Sequence, residues 1–125
     1  MLARDLDRSL VLFDPDNGLI VSSATGDRRC KYASYEDVAR VYEACAQQSV
    51  IAVFQHFARR KWPDDLVRLG EDLRRRSGLE HLSCIAPDGL VAYFLASKSA
   101  DQGARVWEAL ERYNERHSCR HLLRL

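Results

Sequence analysis

The sequence predicts an α+β fold in one domain, residues 1–125, with a βαββαβ core from about 49 to 125 behind a ββα extension over 1–48. Three observations point there. The stretches 49–57, "SVIAVFQHF", and 89–96, "GLVAYFLA", carry apolar side chains on both faces, as interior strands do. Between the strand-like runs lie helical stripes at i, i+3, i+4 and i+7 spacing. Finally, "LSCIAPDGLVAYFL" at 82–95 reads as two strands around a Pro-Asp-Gly turn, and "LVLFDPDNGLIVSS" at 10–23 repeats that pattern more faintly.

Taken in order, 9–14 and 19–23 are short strands. The "DPDNG" between them uses Pro to preset φ and Asn-Gly to accept positive φ. A polar loop, "TGDRRCKYA", follows. Ser34 then opens a helix, with Asp37 three residues on to meet the helix dipole. Its stripe is Val38, Val41, Tyr42 and Cys45. In the 49–57 strand, Val50, Ala52 and Phe54 share one face, while Ile51, Val53 and Phe57 share the other.

A second helix starts at Pro63, with Asp64 and Asp65 beside it, and ends in Arg74 to Arg76 and Gly78. Leu66, Leu69 and Leu73 form its buried stripe. Gly70 in its interior costs about 1 kcal/mol against Ala, which close packing on a sheet would explain. The hairpin around "PDG" follows. A third helix is capped by Ser99 with Gln102 at the box position, and its stripe is Val106, Trp107, Leu110 and Tyr113. "CRHLLRL" closes the chain as a strand, with Arg120 and Arg124 opposite Leu123 and Leu125.

The order β-α-β-β-α-β is the ferredoxin-like arrangement, in which the first and third strands are central and the second and fourth are edges. The two-faced strands 49–57 and 89–96 are the first and third. Each face of these strands then needs cover, from the ββα extension, from a second subunit, or from both. A homodimer joined face to face would supply it. A duplicated ββαβ unit is an alternative view of the halves, since "ARVYEACAQ" at 39–47 resembles "ARVWEALER" at 104–112. Amphipathic helices converge on such letters, so coincidence accounts for the likeness equally well.

Composition narrows the function classes. Apolar residues make up 46% and charged ones 30%, and the formal net charge is +1, so the whole-chain field favours neither nucleic acid nor an anionic membrane. Sixteen of the nineteen basic residues are Arg, a bias that suggests a GC-rich, bacterial coding genome. Cys30, Cys45, Cys84 and Cys119 form no CxxC pair, and no run approaches the roughly 20 apolar residues of a membrane span. The opening "MLARDLDRSL" is mixed in charge and does not read as a leader. Together these features point to a reducing, cytoplasmic setting.

Few residues suggest chemistry. His117, Cys119 and His121 would share one face of a strand and could begin a zinc or copper site. Leu123 and Leu125 continue that face, so packing is the plainer account and no metal or cofactor is expected. His56, on the Val50–Phe54 face, and Tyr93 in the neighbouring strand could exchange a proton if that face lined a pocket. Arg59 and Arg60 with Trp62 beside them, and Arg74, Arg75 and Arg76, are candidate interaction residues. The second group also completes a helix dipole, and no RNP-like aromatic pattern accompanies either group. Walker, GxGxxG, GxSxG and HExxH motifs do not occur. The expectation is a non-enzymatic binding or regulatory protein working through protein or small-effector contacts, as a homodimer. The alternative is a small dimeric α+β-barrel-type enzyme or ligand-binding protein with a pocket near His56 and Tyr93.

Overall fold

The computed structural model describes residues 9–14, 33–56 and 63–125. In chain order they form β1 (Leu10–Phe13), α1 (Tyr35–Ala44), β2 (Val50–His56), α2 (Asp64–Ser77), β3 (Ser83–Ala86), β4 (Val91–Ala96), α3 (Ala100–His117) and β5 (His121–Arg124). The expected strand at 19–23, the polar loop after it and the Arg59–Arg60–Trp62 group lie outside the described residues.

The punctuation read from the sequence sets the helix ends. The hydroxyl of Ser34 accepts a hydrogen bond from the Asp37 amide at 3.0 Å, and that of Ser99 accepts one from the Gln102 amide at 3.3 Å. Pro63 precedes α2, and Gly78 ends it in the left-handed region at φ 70°. Gly70 lies where a Cβ would run into the Leu125 side chain, with Leu82 close by, so the interior glycine lets α2 approach the chain ends of β3 and β5.

All five strands join one sheet in the order β1-β2-β4-β3-β5. β1 runs parallel to β2, with Leu10 opposite Val50 and Phe13 opposite Val53. The β2–β4, β4–β3 and β3–β5 pairs are antiparallel. The α+β class and the interior positions of β2 and β4 therefore stand, but the ferredoxin-like order does not. In that arrangement β5 would pair with the outer side of β2. Here β1 occupies that side, and β5 pairs instead with β3, which becomes interior. Ser83, on this strand, is consequently buried.

This change of edge also moves a helix. Crossovers between parallel strands are right-handed. β1-α1-β2 and β2-α2-β3 step across the sheet in the same direction from strands of the same sense, so α1 and α2 share a face. β4-α3-β5 steps in that direction too, but β4 runs the opposite way, which sends α3 to the other face. The packing agrees. Val38, Tyr42, Leu66, Leu69 and Leu73 meet Ile51, Val53, Cys84, Ala92 and Phe94 in one buried cluster that contains no α3 residue. The two faces thus receive helices from one chain, α1 and α2 on the first and α3 on the second. The suggested duplication is not mirrored in the pairing: 10–13 runs parallel to β2 whereas 83–86 runs antiparallel to β5, and α1 and α3 lie on opposite faces.

Candidate functional site

Alternation along the strands places Phe54, His56 and Tyr93 on the α3 side of the sheet. Phe54 contacts the other two, its ring centroid 5.2 Å from His56 and 5.4 Å from Tyr93, both edge-on. The expected pair does share a face, and each of the two rings packs on Phe54. His56 is exposed at the end of β2, and Tyr93 is half-buried.

The second candidate does not assemble. His117 is the last residue of α3, Ser118 turns the chain at φ 49°, and the Cys119 amide donates to Asn114 Oδ1 at 2.8 Å in the connection. Only His121 is on a strand. A helix end, a loop and a strand replace the continuous strand that would have aligned the three. Among the described residues no group of three His, Cys, Asp or Glu side chains could hold a metal ion.

The thiols at Cys45 and Cys84 are buried, and burial pushes both up, Cys84 to about 12. Such thiols are poor nucleophiles at neutral pH. The Pro87–Leu90 turn is structural: Asp88 Oδ1 accepts the Leu90 amide at 2.8 Å and the Val91 amide at 3.2 Å. Of the basic group at the end of α2, Arg75 pairs with Asp72 at 2.8 Å, and Arg76 lies 3.9 Å over the Tyr35 ring. Arg74 faces elsewhere, into a cleft that the sequence did not announce.

That cleft, about 510 Å³, opens between the end of α2, the 78–82 link, the first turn of α3 and the end of β5. Arg74, Glu80, His81 and Arg124 are its charged or titratable lining residues, against a wall that includes Leu79, Leu82 and Leu125. His81 has φ 46°, the left-handed region that a β-carbon disfavours. The backbone on either side is fixed: the Glu80 amide donates to Tyr42 Oη at 3.2 Å, and the Glu80 carbonyl accepts the Ser97 amide at 3.2 Å. Gly103 completes the arrangement, because a Cβ there would stand 2.7 Å from the His81 Cβ. The sequence signal was a glycine in the first turn of a helix, where Ala would serve the helix better.

A second concavity, about 310 Å³, runs between α3 and β1–β2 on the same face as Phe54. Leu10, Val50, Leu95, Val106 and Leu110 line it together with Gln48 and Gln102. Leu10 is 71% exposed and Leu12, two residues along on the same face, is 53% exposed. The α3 stripe expected to be core is only half-buried at Val106, Trp107 and Leu110, and Tyr113 is exposed; Gly103 alone in α3 is fully buried.

No known protein family, curated protein or solved structure matches this chain. No helix among the described residues is long and apolar enough to cross a membrane.

Proposed function

We propose that this chain is a non-catalytic binding module that works as a homodimer, its two copies joined across the α3 side of the sheet. The observation that carries the reading is the half-open apolar stripe of α3 beside the exposed Leu10 and Leu12. An 18-residue helix whose apolar side is only half-buried leaves part of its hydrophobic contribution unrealised within one copy. A second copy is the occupant that fits best. An apolar patch facing its own image across a two-fold axis is self-complementary. Glu111 borders the stripe on one side and Arg105 and Arg116 border it on the other, so opposed copies can set the two signs against each other. A net charge of +1 offers little repulsion between copies.

Light scattering coupled to size-exclusion chromatography tests this. The wild-type chain is expected to elute as a dimer whose melting temperature rises with protein concentration, and Leu10→Glu/Leu12→Glu as a folded monomer that has lost this concentration dependence. A wild-type protein that is monomeric at every concentration, or a dimer that survives the double substitution, overturns the reading.

A second reading, that of a small enzyme, draws on the Phe54–His56–Tyr93 cluster on the same face. It requires a turnover that His56→Ala abolishes while the melting temperature holds.

A further inference from the structure

We propose that the cleft bounded by Arg74, His81, Gly103 and Arg124 binds a small organic phosphate, its phosphoryl group held by the two guanidinium groups. The cleft lies at the β5 edge of the sheet, opposite the β1 edge that carries Leu10 and Leu12.

The charge distribution is the first argument. Arg74, at the end of α2, and Arg124, at the end of β5, line the cavity from different walls, and the Arg124 guanidinium is steadied 5.9 Å over the Trp107 ring. Neither forms an ion pair among the described residues, although Arg68 and Arg75 on the exposed side of α2 both do. Among the side chains that line it, two arginines accompany one carboxylate, Glu80. Donors reaching in from separate walls suit a tetrahedral phosphate, which accepts in several directions, better than a planar carboxylate, which one guanidinium satisfies edge-on.

The second argument is conformational. His81 holds a left-handed backbone that costs on the order of 1–3 kcal/mol. The surrounding hydrogen bonds maintain this geometry, and Gly103 gives up a side chain to make room for it. Any residue could fill an unconstrained α2–β3 link. Strain sustained from both sides at the wall of a cleft is the pattern of a preorganised site. The third argument is size. A volume of about 510 Å³ is larger than a bare phosphate requires, and the Leu79, Leu82 and Leu125 wall gives an attached organic body an apolar surface.

Isothermal titration of the 125-residue chain is the test, with inorganic phosphate, adenosine 5′-monophosphate and citrate as probes. Both phosphates are expected to give saturable heats and to raise the melting temperature, the nucleotide more tightly than inorganic phosphate. Arg74→Gln/Arg124→Gln should weaken nucleotide binding at least tenfold while its light-scattering mass stays that of the wild type. Both arginines are exposed, so the variant is expected to fold. His81→Gly should melt higher than the wild type yet bind the nucleotide less tightly, separating strain from stability. No heat with either phosphate, binding of citrate alone, or nucleotide affinity unchanged in the arginine variant would overturn the proposal. The titration is equally readable in monomeric Leu10→Glu/Leu12→Glu, so failure of the dimer reading and failure of the cleft can be told apart.

Discussion

Tyr42 shows how one side chain serves two elements. Its ring belongs to the buried face of α1, and its hydroxyl accepts the Glu80 amide in the link that carries His81. Burial, reinforced by the nearby Glu80 charge, pushes the phenol up to about 12 from 10.0. Folding therefore favours the protonated phenol. The stabilisation this brings is complete below pH 10 and fades as pH rises from there through 12. At neutral pH, Tyr42→Phe is expected to lose about 1 kcal/mol, the worth of the hydrogen bond. Between pH 10 and 12 the wild type's advantage over the variant should shrink, as measured by urea unfolding at a series of pH values. An advantage constant across that interval would rule out the titration of Tyr42. Gln55 behaves in a similar local way: it is 1% exposed on an otherwise apolar face, and its amide donates to the His56 carbonyl at 3.1 Å.

At the scale of elements, the helices carry their own start signals, but one end is finished from a distance. α1 has no basic residue in its last turn. Lys98, just after β4, supplies the missing charge: its ammonium donates to the carbonyls of Glu43 at 2.8 Å and Cys45 at 2.7 Å. Lys98→Met keeps the aliphatic stem and removes both bonds. A loss of about 1–2 kcal/mol in chemical denaturation is the expected result; a loss within the error of the measurement would mean that water caps α1 equally well. This contact spans more than fifty residues and leaves no trace in local sequence. By contrast, the Ser34 and Ser99 caps and the Gly78 stop each act within a few residues and were readable at once.

For the whole molecule, the fold follows from which edge β5 chooses. With β1 beside β2, the last strand goes to β3, and the handedness of the crossover then sets α3 on the face opposite α1 and α2. One face becomes a closed core, with Val38, Leu66, Leu73 and Phe94 all at 0% exposure. The other keeps a thinner cover. Stability should divide accordingly. Amide hydrogen exchange is expected to be slowest in β2 and β4, near the global unfolding limit, and faster by local opening in α3. Protection of α3 should also rise with protein concentration if a second copy packs there. Uniform protection across all elements would contradict this division.

Local chemistry alone specified much of this. The helix bounds came from hydroxyl caps, Pro63 and Gly78, because capping energies act over one turn. The interior places of β2 and β4 came from apolar residues at odd and even positions alike, because a strand's two faces are read directly from its alternation. What the sequence could not supply was any relation that depends on competition between distant segments. β1 and β5 can both offer an edge to β2, and only the assembled sheet shows that β1 takes it. The His117, Cys119 and His121 alignment failed because α3 runs on through His117, consuming the residues that a longer β5 would have needed. The Arg74–His81–Arg124 cleft belongs wholly to the tertiary level, since its walls come from three elements and a link that meet only after the sheet order and the side of α3 have been decided.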